Sequence, residues 1–356
     1  MAESKARLIS AAFTSTGDIK SDNLDNVSAG FDSADVLTIS APLSNRNLII
    51  NGAMQVWQRG TSLSITTSDF RIADRWINFP GTDGGGTASQ QAFTLGQTDV
   101  PGEPEYYLRH DQSTGASSAP NVQTRLEDVR TGAGQSVTLS FYARVTSGTL
   151  TIDPIIRQNF GSGGSSYVDN TPDDITVTTS WQRFTRTITL ASISGKTIGS
   201  NNQIQIRLEL PTSTTFTLDI ALAQFEIGSV ATPFEHRSYG KELALCQRYL
   251  YRTSGGPDAT NAPNHLGPGF AYTGTNLGHV SVHFPQTMRA KPTFSFSGIS
   301  AWNGTSYPIT SIITNNSSLQ VGTLNLGVAS GLTTTRGYSI LSPSTGAGYI
   351  QFDAEL

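Results

Sequence analysis

Apolar and polar residues alternate with a period of two along most of the chain from residue 47 onward. In residues 135–145, for example, Val137, Leu139 and Phe141 fall on one face of an extended segment. Successive side chains of a strand point to opposite faces, so this alternation indicates half-buried strands. Gly- and Ser-rich stretches such as 161–166 separate the strands. The pattern predicts an all-β protein with a jelly-roll type β-sandwich over residues 47–237.

The periodicity changes within residues 238–254. Residues 239–250 are mostly good helix formers, and they predict a short connecting helix inside this linker. Alternation then resumes in 255–356 and ends with the apolar-polar segment 349–356. We therefore expect a small C-terminal β-sandwich domain that begins after the Gly-Gly-Pro break at residues 255–257.

Residues 1–46 differ from the rest of the chain, because they are polar and contain few large apolar side chains. Such a segment cannot close a core of its own. It is predicted to be an extended arm, either a flexible terminus or an anchor that lies on a partner. If it is an anchor, the candidate contacts are Arg7, Leu8 and Phe13.

Charge and composition exclude several classes of protein. Charged residues make up 14% of the chain, the net charge is -4, and no cluster of Lys and Arg stands out. The chain therefore lacks the basic surface of a nucleic-acid-binding protein. It has no apolar run of about 18 residues for membrane insertion, and no apolar stretch of a secretory signal near its start. The single cysteine, Cys246, has no partner for an internal disulfide.

Several motifs occur together in a specific order. They are NLIINGAMQVWQRG (47–60), ADRW (73–76), GSVATPFEHR (228–237), ELALCQRY (242–249) and FPQTMRAKPT (284–293). In this combination the chain resembles virion proteins of tailed phages, in particular tail fibres and fibre-like structural proteins. The resemblance covers nearly all of the chain from residue 47 onward.

The resemblance implies a function and a location. The first domain would be similar to a carbohydrate-binding module, and the chain would form a homotrimer that attaches to a glycan or another receptor on the host surface. It would be assembled in the host cytoplasm and exposed on the virion after lysis. One alternative is a head fibre or decoration protein that its N-terminal arm anchors to the capsid. A second alternative is an enzyme that degrades surface polysaccharide.

The sequence gives little support to catalysis. It contains no G-x-S-x-G nucleophile motif. A glycosidase needs two carboxylates across the scissile bond, whereas the members of pairs such as Asp173 and Asp174 point to opposite faces of a strand. His279 and His283 would lie about 13 Å apart along a strand, too far to share a metal ion. We expect a protein that is not an enzyme and needs no cofactor.

Aromatic side chains on loops are candidates for stacking on sugar rings. The candidate ligand-binding residues are Tyr106, Tyr107, Tyr167 and Trp302, although each has an ordinary structural role as its alternative. Asp169, Asp173 and Asp174 form an oxygen-rich loop that would suit a structural Ca²⁺, but a solvated loop is the favoured interpretation.

The C-terminal domain is small for an independent core, so burial against other copies would complete it. The predicted trimer interface consists of apolar residues of the helix, of the residues after it and of the last strand. These residues are Leu243, Tyr249, Ile350, Phe352 and Leu356.

Overall fold

The computed structural model describes residues 45–66, 72–254, 264–342 and 348–356. Residues 47–356 form one compact unit. The predicted anchor residues Arg7, Leu8 and Phe13 lie outside the described residues. In the described part of the chain, no helix has both the length and the apolar character needed to cross a membrane.

The described chain is built from strands and a single short helix, as the alternation predicts. The strands are β1 (Ser62–Ile65), β2 (Trp76–Phe79), β3 (Gly85–Ala92), β4 (Tyr106–Thr114), β5 (Asn121–Glu127), β6 (Ser136–Val145), β7 (Leu150–Asn159), β8 (Val168–Asn170), β9 (Ile175–Val177), β10 (Gln182–Thr189), β11 (Gln203–Glu209), β12 (Phe216–Ile227), β13 (Leu250–Ser254), β14 (Asn264–Ala271), β15 (Asn276–His283), β16 (Thr293–Ser297), β17 (Ser300–Trp302), β18 (Ser306–Asn315), β19 (Val321–Val328), β20 (Gly337–Ser342) and β21 (Tyr349–Asp353). The helix α1 spans Tyr239–Gln247.

The first twelve strands form the predicted β-sandwich. One sheet has the strand order β1-β3-β4-β12-β6-β10, and the other has the order β2-β5-β11-β7-β8 with β9 paired to β7. Val137, Leu139 and Phe141 of β6 are buried in the core between the sheets, as their alternation predicts. Phe141 lies directly opposite Phe184 of β10. The all-β class and the sandwich are thus confirmed.

The helix is shorter than the run of helix formers suggests. Its N-cap is Ser238, whose hydroxyl accepts a hydrogen bond from the backbone of Lys241. The helix ends at Gln247, and Leu250 already begins β13. Pairing of β13 with β21 overrides the helix propensity of these residues.

The C-terminal region closes into a barrel, whereas the sequence predicts a small sandwich. The strands β14-β15-β19-β18-β17-β20 form a closed barrel, and β13-β21-β16 form a three-stranded sheet. The residues of both sheets share one hydrophobic core. Closure pairs the first strand of the barrel, β14, with the last, β20, and so removes the edges that an open sheet would expose.

The predicted trimer interface is wrong at three of its five residues, because the fold buries their side chains within a single chain. Ile350 and Phe352 are completely buried within the single chain, because β21 pairs with β13 on one side and β16 on the other. Tyr249 is buried too, with the guanidinium of Arg75 3.5 Å from the centre of its ring. These side chains cannot contact another copy. Of the remaining predicted residues, Leu243 and Leu356 are half-buried.

Three of the sequence motifs, 47–60, 228–237 and 242–249, meet where the sandwich joins the C-terminal region. The carboxylate of Glu242 accepts hydrogen bonds from the backbone N–H of Asn51 and from Arg237. Arg237 also donates to the backbone carbonyl of Ile49 at 3.0 Å. The NLIING, PFEHR and ELALCQRY motifs therefore form one polar junction, which gives them a structural role.

Candidate functional site

Three aromatic side chains line an open cleft of about 340 Å³ beside the junction. Trp57 precedes β1, Tyr106 begins β4, and Tyr239 is the first residue of α1. Amide and carboxylate groups complete the lining. The full set, called the aromatic cleft below, is Gln55, Trp57, Gln58, Gln90, Glu105, Tyr106 and Tyr239.

The side chain of Asn51 organises the segment that carries Trp57. Its Oδ1 accepts hydrogen bonds from the backbone N–H groups of Gln55 and Val56 at 2.8 and 2.9 Å. The indole N–H of Trp57 donates to the carbonyl of Met54 at 2.6 Å. Because local hydrogen bonds fix both the turn and the ring, the aromatic face of Trp57 is held in place before any ligand binds.

Gln58 is held by the buried carboxylate of Asp74. The Gln58 backbone donates to Asp74 Oδ1 at 3.1 Å, and its side-chain amide donates to Asp74 Oδ2 and to the carbonyl of Leu250. Burial raises the pKa of Asp74 to about 6, although Arg59 and the bonds from Gln58 act in the opposite direction. The position of Gln58 in the cleft therefore depends on a carboxyl group whose charge changes in mildly acidic solution.

Tyr106 and Glu105 are neighbours at the start of β4. A hydrogen bond to Glu105 is the main cause that raises the pKa of Tyr106. Glu105 is the sole carboxylate among the described residues that line the cleft. Three ring faces with several amide groups suit a ligand that has apolar faces and many hydroxyl groups. They do not form the carboxylate pair of a glycosidase.

Tyr107 is buried, so its ring offers no surface to a ligand. It packs against Phe93 and Trp181, with ring centroids 4.8 and 5.3 Å away. Arg144 covers the Trp181 ring at 5.0 Å. The buried carboxylate of Asp219 forms ion pairs with both Arg144 and Arg109, so these two guanidinium groups are held beside the aromatic cluster.

Tyr167 is 56% exposed. It directly precedes β8, which belongs to the sheet that begins with β2, and it does not line the aromatic cleft. The guanidinium of Arg157 sits 3.9 Å from the centre of its ring. The same guanidinium donates two hydrogen bonds to Asp169, at 2.6 and 2.8 Å. This arrangement explains the polar loop without a metal ion.

The proposed Ca²⁺ ligands do not converge. Asp169 is engaged by Arg157, while Asp173 and Asp174 contribute their backbone carbonyls as acceptors for Arg186. Within the described ranges, no group of three or more His, Cys, Asp or Glu side chains could hold a metal ion. A solvated, Arg-bound loop is the better description of this segment.

Of the four predicted ligand-binding residues, the structure brings only Tyr106 into the aromatic cleft. Trp302 lies in the C-terminal barrel, 41% exposed, beside a separate pocket. Trp57 and Tyr239 are not among the candidates that the sequence suggests. The signal that could have found them is their position within or beside the motifs that meet at the junction, because Trp57 lies in 47–60 and Tyr239 lies between 228–237 and 242–249.

No family model and no curated protein matches the chain. Solved structures similar to part of it include the C-terminal family 22 carbohydrate-binding module of Clostridium thermocellum Xyn10B, at 17% identity over 54% of this chain and 100% of that chain, with a TM-score of 0.34. A CBM4 structure aligns at 17% identity over 50% of this chain and 98% of that chain, with a TM-score of 0.31. The enzymatically active domain of tailspike protein 4 of bacteriophage CBA120 aligns at 11% identity over 51% of this chain and 21% of that chain, with a TM-score of 0.31. Similarity at this level carries no function to this chain.

Proposed function

We propose that this chain is a non-enzymatic structural protein of a tailed-phage virion, a trimeric fibre or spike component that binds glycans on the host surface through the aromatic cleft. The observation that carries the binding function is the cleft itself. Trp57, Tyr106 and Tyr239 offer ring faces beside amide groups that can donate and accept hydrogen bonds. Sugars present both an apolar C–H face and hydroxyl groups, so this chemistry matches them.

The binding test uses two tyrosines of equal exposure. Tyr239 lines the cleft and Tyr167 does not, yet both are 56% exposed. Purified full-length protein is screened against surface glycans, and affinity for the best glycan is measured by calorimetry. We expect Tyr239→Ala to weaken binding at least tenfold and Tyr167→Ala to leave it unchanged. Equal effects of the two substitutions, or no glycan bound by the native protein, would contradict the proposal.

The proposal of a binding protein without catalysis is supported by the single carboxylate among the described residues lining the cleft. Hydrolysis of a glycosidic bond needs an acid and a second carboxylate about 5–9.5 Å away. Incubation with the glycan that binds should therefore release no oligosaccharide. Reproducible release of defined fragments, abolished by Glu105→Gln, would establish the polysaccharide-degrading alternative instead.

The virion location rests on the motifs that resemble tailed-phage proteins and on the polar character of residues 1–46. Ordering such an arm costs about 1–2 kcal/mol per residue, so it needs a partner surface. Immunogold electron microscopy of particles should place the chain on the tail. Label on the capsid would favour a head fibre or decoration protein. Incorporation after deletion of residues 1–40 would show that the anchor lies elsewhere.

For the homotrimer we propose an interface on β18 in place of the buried residues of β21. Ile312 and Ile313 are adjacent on β18 and are 41% and 46% exposed. The register of β18 against β19 shifts between Ile312 and Thr314, so Ile313 falls in a β-bulge and both isoleucines are exposed. Native mass measurement at micromolar concentration should give a trimer, and the double change Ile312→Ser and Ile313→Ser should give a monomer. A native monomer would contradict this proposal.

A further inference from the structure

We propose that the C-terminal barrel carries a second binding site, separate from the aromatic cleft, for an uncharged sugar residue that stacks on Trp302. The site is a pocket of about 480 Å³ on the outside of the barrel, within the range of small-molecule sites. It is called the barrel pocket below. Its lining residues are Gly298, Ile299, Ser300, Trp302, Ser306, Pro308, Ile309, Leu341 and Ser342.

Strand register places two rows of side chains in this pocket. Ser300 of β17 lies between Pro308 of β18 and Leu341 of β20. In the adjacent row, Trp302 lies between Ser306 and Ser339. The indole therefore stands beside small hydroxyl-bearing neighbours, which leave its ring face uncovered.

The orientation of Trp302 follows from its neighbours along the strand. Ile299 and Ala301 are 2% and 0% exposed and belong to the barrel core. Because side chains alternate across a strand, Ser300 and Trp302 point outward. Trp302 remains 41% exposed, so a large part of this apolar side chain is left out of the fold's own packing.

The lining determines the chemistry of the ligand. None of the described residues in the barrel pocket is charged, so nothing there would offset the cost of desolvating an ionised ligand. Leu341 and Pro308 form an apolar surface, and Ser300 and Ser306 add hydroxyl groups. In the described part of the chain, no hydrogen bond engages these two hydroxyls. An apolar surface next to unengaged hydroxyls fits a neutral sugar ring better than a purely apolar molecule.

The exposed aromatic surface continues beyond the pocket. Ser339 pairs with Pro268 of β14, so the row that holds Ser306, Trp302 and Ser339 extends to a fourth strand. Two residues along β14 from Pro268, Phe270 is 48% exposed. With strands about 4.8 Å apart and about 3.3 Å of rise per residue, the backbone positions of Trp302 and Phe270 are about 12 Å apart. This spacing favours a neutral oligosaccharide over a single small molecule.

The test uses neutral gluco-, galacto- and manno-oligosaccharides as probes, with a uronic-acid oligosaccharide as the charged comparison. Binding to the full-length protein is measured by saturation-transfer NMR and calorimetry. We expect Trp302→Ala to weaken binding of a neutral oligosaccharide at least tenfold and Trp302→Phe to retain most of it. The control is Leu319→Ala. Leu319 lies between β18 and β19 and is 42% exposed, close to the exposure of Trp302, but it does not line the pocket. Thermal unfolding verifies that each variant is folded.

The outcomes separate this site from the aromatic cleft. Loss of neutral-sugar binding in Trp302→Ala but not in Tyr239→Ala supports a second site, whether or not the cleft binds a glycan. Loss in Tyr239→Ala alone would leave the proposed function standing and overturn the barrel site. Two further results would also overturn it: no neutral oligosaccharide bound at millimolar concentration, or preferential binding of the uronic-acid probe.

Discussion

Arg75 and Glu355 form an ion pair in which each side chain is only 2% exposed, although 280 positions separate them in the sequence. The Nη1 of Arg75 makes this ion pair, and its Nη2 donates to the carbonyl of Arg125 at 2.6 Å. The ring of Tyr249 covers the guanidinium. The pair therefore joins the sandwich to the segment after the last strand. The sequence predicts the sandwich and the C-terminal region as separate domains, and this buried ion pair connects them.

Replacement of Glu355 by Gln should strongly destabilise the protein, because it leaves Arg75 buried without its partner charge. Breaking a buried pair in this way costs about 3–5 kcal/mol. Urea unfolding followed by circular dichroism measures the effect. The matched control is Asp128→Asn, since Asp128 and Arg130 are 47% and 60% exposed at their side chains. An exposed pair contributes about 0–1 kcal/mol, so similar losses in the two variants would contradict this assignment.

His110 should make the protein less stable in acid. It is completely buried in the sandwich, where its ring nitrogens lie 3.3 Å from Asn78 Oδ1 and 3.0 Å from Gln112 Oε1. Burial lowers its pKa from 6.5 to about 4. Between these values the unfolded chain binds a proton that the folded chain does not, so stability falls as the pH drops from 6.5 to 4.

The effect of His110 amounts to about 3 kcal/mol over this range. His110→Gln removes the titrating group, and the free energy of unfolding should then depend less steeply on pH between 6.5 and 4. The same substitution at the exposed His283 serves as the control. A native slope that His110→Gln leaves unchanged would refute this prediction.

Asp74 should change the pH dependence of the free energy of unfolding in the direction opposite to His110. Its pKa is raised from 3.8 in the unfolded chain to about 6 in the folded one, chiefly by burial. Between these values the folded state binds a proton that the unfolded state does not. Protonation of Asp74 therefore stabilises the protein as the pH falls through 6, and this stabilisation is lost as the pH rises. The free energy of unfolding of the native protein minus that of Asp74→Asn should increase by about 3 kcal/mol between pH 7 and pH 4. A constant difference would contradict the assignment.

The alternation of apolar and polar residues predicts the strands well, because a strand with one buried face needs apolar side chains at every second position. Val137, Leu139 and Phe141 show this for β6. The same alternation does not show which element packs on an apolar face. For this reason Ile350 and Phe352 are wrongly predicted to pack against other copies of the chain. Their cover is β13, β16 and the barrel core, all set by pairing between distant segments.

The candidate site is less predictable than the fold, since it depends on contacts between distant residues. Tyr106 stands out as an aromatic at the start of a strand, but nothing local distinguishes it from Tyr107, which is buried under Arg109 and Arg144. These two arginines converge on Asp219, which lies 110 and 75 positions away from them. In the sequence, each of the three charges has the character of an ordinary surface residue.

The packing of the barrel against β21 should make Gly322 intolerant of any side chain. A Cβ built on Gly322 of β19 would lie 2.2 Å from the ring of Phe352, which is completely buried in the core of the C-terminal region. Forcing extra volume into such a core costs about 1–3 kcal/mol. Gly337 of β20 provides the control, because a Cβ there meets nothing within 4 Å. Gly322→Ala should therefore lower the midpoint of thermal unfolding clearly, while Gly337→Ala leaves it unchanged or raises it slightly by restricting the unfolded chain. If both substitutions have the same effect, the close approach of Phe352 to β19 is wrong.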